Sequence, residues 1–123
     1  MHPIIKIDIN LHVKSLEDTF EWYKEKLGWE SHCDLKNEDG QCLFGDVHYS
    51  YEQNISFNLN KTDNAILPSG FHPLIKTEKI EILYSDLKTK NVEVVSELSE
   101  QPWGSTFKIR DLNGFVLEFW SET

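Results

Sequence analysis

The sequence predicts an α+β protein built from two similar modules, each with the order strand, helix and three further strands. Three observations carry this prediction. Apolar residues alternate with period two in several short segments, as in half-buried strands. They recur at helical spacing in two longer segments. The whole order then repeats at an offset of about 64 residues, the size of one module in a duplicated chain.

The elements follow in order. From Ile4 to Val13, Ile5, Ile7, Ile9, Leu11 and Val13 share one face, while Lys6, Asp8, Asn10 and His12 share the other. That pattern predicts the first strand. Ser15 opens a helix, with Asp18 placed three residues on as in a capping box. Leu16, Phe20, Tyr23 and Leu27 follow at helical spacing, and Gly28 stands where a left-handed cap is expected. Three strand-like stretches lie between Trp29 and Leu59, separated by turns at Asp39-Gly40 and Glu52-Gln53-Asn54. The polar stretch from about Asn60 to Gly70, carrying Pro68, reads as a linker.

The second module begins with a strand around His72 to Thr77. A helix carrying Ile80, Tyr84 and Leu87 follows, with Asn91 as its cap. Strands are expected at Val92 to Leu98, Thr106 to Arg110 and Phe115 to Trp120, the last two joined by the turn Asp111-Leu112-Asn113-Gly114. At the repeat offset Asp8 falls on His72, Val13 on Thr77, Leu16 on Ile80, Phe20 on Tyr84 and Tyr23 on Leu87. Accidental agreement between two amphipathic βα units is the competing explanation, but the three later strands recur as well. A ferredoxin-like βαββαβ domain has too few strands.

Composition narrows the function. The chain has 123 residues, 12 basic against 21 acidic, and a formal net charge of −9. A polyanionic nucleic acid or an anionic membrane surface would be repelled. At 39% hydrophobic and 12% aromatic, the chain can fill a core. No apolar run approaches the roughly 18 residues that span a bilayer, and Met1-His2-Pro3-Ile4 carries no basic signal-peptide region. A cytoplasmic protein is the expectation. Cys33 and Cys42 bracket the turn at Asn37-Glu38-Asp39-Gly40. A disulfide across the hairpin is geometrically conceivable, yet with nothing indicating export two reduced thiols are expected. Their spacing fits no zinc motif.

Two segments carry a family resemblance. Leu11-His12-Val13-Lys14-Ser15-Leu16, then Phe20-Glu21-Trp22-Tyr23 and Leu27-Gly28-Trp29, resemble the opening strand and "FY…LG" helix of the glyoxalase, bleomycin-resistance and dioxygenase (vicinal oxygen chelate) superfamily. Pro102-Trp103-Gly104, Phe107 and Asp111-Leu112-Asn113-Gly114-Phe115-Val116-Leu117-Glu118-Phe119 resemble its "PWG…F…DPDGN…E" signature, with Leu112 and Phe115 departing from it. The resemblance covers nearly the whole chain. It implies two βαβββ modules, about 1–60 and 71–123 with a linker at about 61–70, whose curved mixed sheets form a cup with helices outside. It also implies a homodimer, and it is far more specific for fold than for reaction.

In metal-dependent relatives the ligands come from the first strand of each module and from the last strand. Carried over, those positions are Asp8, His72 and Glu118, and the fourth falls around Ser56 or Asn58, neither a strong ligand. An imidazole and a carboxylate suit iron, manganese, nickel or zinc. The first-strand position is usually His or Gln in such enzymes; Asp8 has a shorter arm. Two readings follow. The favoured one is a small-molecule-binding protein without metal, holding its ligand in the cup through Asn10, His12, Asn58, Trp103, Phe107 and Trp120. The three aromatic residues have core packing as an equal alternative. The other reading is a metal-dependent lyase, isomerase, dioxygenase or resistance transferase using Asp8, His72 and Glu118, with Glu118 catalytic. His32 and His48 are expected on the surface.

Overall fold

The computed structural model describes residues 2–64 and 72–122. It divides into two compact units, Met1–Ile66 and Leu67–Thr123. Each unit is a βαβββ module, as the repeat predicts.

The first unit runs β1 (Asn10–Val13), α1 (Leu16–Leu27), β2 (Glu30–Lys36), β3 (Cys42–Ser50) and β4 (Ile55–Lys61). Its sheet has the order β1-β4-β3-β2, with β1 parallel to β4 and the other pairs antiparallel. The helix starts where its donors find an acceptor: the Asp18 amide donates to Ser15 Oγ at 3.1 Å. It stops at Gly28, whose φ of 71° is the left-handed cap conformation. Leu16, Thr19 and Tyr23 are buried beneath it. Tyr23 and Trp29 pack on Phe57 with ring centroids 6.2 and 5.5 Å away. Leu11, Val13, Val47, Phe57 and Leu59 complete this core, each contributing about 1.5–3 kcal/mol of burial.

The second unit repeats the plan with β5 (Leu74–Lys76), α2 (Ile80–Thr89), β6 (Glu93–Gln101), β7 (Gly104–Arg110) and β8 (Val116–Glu122). The order is β5-β8-β7-β6, with β5 parallel to β8. The two helices begin at Leu16 and Ile80, matching residues of the repeat, although α2 has no side-chain cap at Lys79. Ile80, Leu87, Phe107, Ile109, Leu117 and Phe119 form the core. Phe107 lies between Tyr84 and Phe119, at 5.0 and 5.3 Å. Gly104, at φ 151°, sits so close to the Ser121 carbonyl that a β-carbon would collide with it.

Strand alternation gives each sheet two unlike faces. Phe57 and Leu59, or Leu117 and Phe119, point toward the helix; Ser56, Asn58 and Asn60, or Val116, Glu118 and Trp120, lie on the opposite, helix-free face. The functional candidates occupy this second set.

Several expectations are corrected. Cys33 and Cys42 are disulfide-bonded, not reduced, with a Cα–Cα separation of 6.0 Å. Regular pairing would hold them further apart along the hairpin, since Cys33 pairs with Gly45 and Cys42 with Lys36. Register shifts on either side of Leu35 draw the two cysteines together. The first strand starts at Asn10 rather than Ile4; residues 2–9 form no strand, and Ile4, Ile5 and Ile7 are exposed. His48 is not a surface residue, because its side chain is only 11% exposed. β4 continues to Lys61, past the expected start of the linker. The rest of that linker, including Pro68 and Gly70, falls on residues 65–71, outside those described. The strand expected from His72 is confined to Leu74–Lys76, while β6 extends to Gln101, β7 begins at Gly104 and β8 reaches Glu122. Among the described residues, no helix is long and apolar enough to cross a membrane.

Candidate functional site

In the second unit, β8 places Glu118 on the helix-free face between two neighbours in register, Leu74 on β5 and Lys108 on β7. The Glu118 amide donates to the Pro73 carbonyl at 3.1 Å, which brings the residue just before Pro73 alongside. That residue is His72, and its Nε2 lies 2.7 Å from Glu118 Oε1. Thr106, one row along on β7, donates its hydroxyl to Glu118 Oε2 and also to the Phe119 carbonyl at 3.1 Å. Both carboxylate oxygens are therefore engaged. Burial alone would raise the Glu118 pKa, but the Thr106 and His72 hydrogen bonds and the Lys108 charge outweigh it and hold the carboxyl below its usual value.

Trp120 follows Glu118 on the same face. The Lys76 ammonium sits 5.1 Å from its ring centroid and ion-pairs with Glu122 at 2.8 Å. Trp103 meets Trp120 edge to face at 5.8 Å and is exposed. Phe107 has the opposite parity and is wholly buried against α2, so it takes the core-packing alternative.

In the first unit, one row of Cα partners crosses the sheet as Asn10, Asn58, Asp46 and His32. The next row in one direction holds His12, Asn60 and Phe44; in the other it holds Ser56, His48 and Glu30. Asn10, His12 and Asn58 thus share the helix-free face of one sheet. Asp8 lies before β1 in the segment without a strand, 3.0 Å from Lys6 in an exposed ion pair.

Asp46 and Tyr51, which the sequence did not single out, form a second cluster on this face with His48, which it placed on the surface. His48 Nδ1 lies 2.7 Å from Asp46 Oδ1. The Tyr51 hydroxyl reaches both Asp46 oxygens, at 2.9 and 3.0 Å, and its ring stacks on His48 at 3.9 Å. Burial of that hydroxyl, then the Asp46 hydrogen bond and charge, push the Tyr51 pKa up to about 12. The available sequence signal was the i, i+2 spacing of Asp46 and His48, which sets both on one side of a strand. Thr106 and Lys108 were also missed, and the same spacing relates them.

The residues around Glu118 can accept and donate hydrogen bonds beside an exposed aromatic ring. Among the described residues, no group of three or more His, Cys, Asp or Glu side chains could hold a metal ion. His72 and Glu118 are two donors directed at each other, whereas a catalytic zinc site takes three protein ligands. As arranged here they do not fit a resident ion.

A family model described as the Glyoxalase/Bleomycin resistance protein/Dioxygenase superfamily matches residues 7–119. Among solved structures, the chain is similar to a glyoxalase-related enzyme from Clostridium phytofermentans, with 22% identity, TM-score 0.81, and 99% of this chain and 98% of that chain covered. It is also similar to the fosfomycin resistance protein FosX from Listeria monocytogenes, with 14% identity, TM-score 0.74, and 100% and 96% coverage. TioX from Micromonospora sp. ML1 has 16% identity, TM-score 0.70, and 97% coverage of both chains. At these identities the structural likenesses speak to fold alone. No curated protein sequence matches the chain.

Proposed function

We propose, from the premise that the chain belongs to the Glyoxalase/Bleomycin resistance protein/Dioxygenase superfamily, that it binds a small organic molecule on the helix-free faces of its sheets. The observation that carries this reading is the surface of β7 and β8: Glu118 held by His72 and Thr106 beside Trp120, with Trp103 exposed. A carboxylate with fixed orientation next to an aromatic ring supplies both polar specificity and contact area. Asn10, His12 and Asn58 offer amide and imidazole groups on the other sheet for the same purpose. Phe107 supports the floor from within the core rather than touching ligand.

A thermal-shift screen of cationic antibiotics and aromatic metabolites tests the reading. Stabilisation by at least one compound is expected, and it should be lost in Trp120→Ala and Glu118→Gln while the folded spectrum persists. A flat screen, or hits indifferent to both substitutions, would contradict it.

The second reading, a metal-dependent lyase, isomerase, dioxygenase or resistance transferase, rests on the family resemblance, which implies metal ligands at the positions of His72 and Glu118, two side chains that lie on one sheet face. It requires Asp8 or another donor to join them, and both side chains to turn from each other toward the ion. Purified protein holding about one equivalent of divalent iron, manganese, nickel or zinc, reduced in His72→Gln, would support this reading over the metal-free one. We also place the chain in the cytoplasm as a homodimer, to be checked by fractionation and by gel filtration. In that compartment the thiol-reducing pools would open the Cys33–Cys42 bond.

A further inference from the structure

We propose that Asp46, His48 and Tyr51 form a proton-accepting site in the first unit, in which His48 Nε2 takes a proton from an acidic hydroxyl, a phenol or enol, on a bound ligand. This rests on the small-molecule reading above but uses residues apart from Glu118 and His72. A carboxylate oxygen accepts, so the 2.7 Å contact assigns a proton to Nδ1, and in the neutral ring the lone pair then sits on Nε2. The ring cannot swing away. Tyr51 stacks on it at 3.9 Å, and the Tyr51 hydroxyl is tied to the same carboxylate that holds Nδ1.

Nε2 itself has no hydrogen bond among the described residues; its nearest carboxylate, Glu30 Oε2, is 3.7 Å away. The His48 side chain keeps 11% exposure. The charged or titratable groups facing it are Glu30, His32 and Asp34 on β2, Asp46 on β3 and Tyr51 in the following turn; Ser56 and Asn58 on β4 carry no charge.

The step balances without a cofactor. The ligand O–H bond breaks with its electron pair left on oxygen, and an Nε2–H bond forms. Asp46 at Nδ1 and Glu30 near Nε2 then stabilise the imidazolium. The arrangement has the logic of a carboxylate-oriented histidine base, with Tyr51 fixing the carboxylate.

The test uses the full chain and para-nitrophenol, whose phenolate absorbs at a longer wavelength than the phenol. Near the probe's own pKa, the wild type should increase the phenolate band on binding. His48→Gln should abolish that increase, and Glu25→Gln, at an exposed position of α1, should leave it unchanged. Imidazole nitrogen NMR supplies a readout without ligand: Nδ1–H is expected in the wild type, with a shift toward Nε2–H in Asp46→Asn. An unaltered phenolate band in His48→Gln, no band with wild type, or an Nε2–H tautomer in the wild type overturns the proposal. None of those outcomes touches the compound screen, which answers for the binding reading separately.

Discussion

The two sheets share a topology and a buried pattern, and they part company on their helix-free faces. Beneath α1 and α2 the same positions do the same work: Leu16 and Ile80 open the helices, and Tyr23 and Leu87 are fully buried one repeat apart. On the other side, the first unit presents acidic and amide groups, with Glu30, Asp46 and Asn58 around His48. The second presents Lys76, Lys108 and Arg110 around Glu118 and Trp120. Each face nonetheless holds one imidazole tightly against one carboxylate, both at 2.7 Å. Packing dictates the buried face, because a core position accepts little beyond a matching apolar shape. The exposed face is free of that demand, so its differences are where ligand chemistry is written.

The comparison can be strained first at the cores. Tyr23→Ala and Phe107→Ala each remove a fully buried ring and should each cost about 3–5 kcal/mol in urea unfolding. A cost in one unit with none in the other would deny that the cores are equivalent. A smaller effect separates the units. Cys33→Ser opens the disulfide that only the first unit has, and it should cost about 2–3 kcal/mol for so short a loop. Reductant should lower wild-type stability to the same level and leave Cys33→Ser unaffected.

The smallest effect concerns acid. Glu118 is held below its unfolded value of 4.5, so the unfolded chain takes up the proton first. The stabilisation is complete above that value and is lost as pH falls through the folded one. Urea melts along a descending pH series should show a shallower acid loss in Glu118→Gln than in wild type. Equal slopes would mean that the His72 and Thr106 contacts contribute nothing.

What the sequence made legible was local. Ser15 and Gly28 announce a helix because caps are satisfied within a few residues, and the recurrence of Leu16 at Ile80 reveals the repeat without any structure. The disulfide was conceivable across the hairpin and was set aside because nothing indicated export; the register shifts beside Leu35 that bring the cysteines together are signalled by no turn residue. His48 was misjudged because its partners, Asp46 and Tyr51, converge only once β3 has bent into the turn that follows. Ile5 and Ile7 erred the other way. They have faultless strand periodicity, yet a strand also needs a neighbour for its backbone, and β4 meets the chain only from Ile9, whose carbonyl accepts from the Asn58 amide at 2.8 Å. Of the candidate site, Glu118 and His72 were legible through motif position, whereas Thr106 and Lys108 required the β7–β8 register.

The central claim is that ligand is held on the helix-free faces. An amide NMR titration of the full chain with the compound that stabilises it most in the thermal-shift screen tests this most directly. The expected perturbations concentrate at Thr106, Lys108, Glu118 and Trp120. Perturbations confined to the outer surfaces of α1 and α2, with those strand residues unmoved, would contradict it.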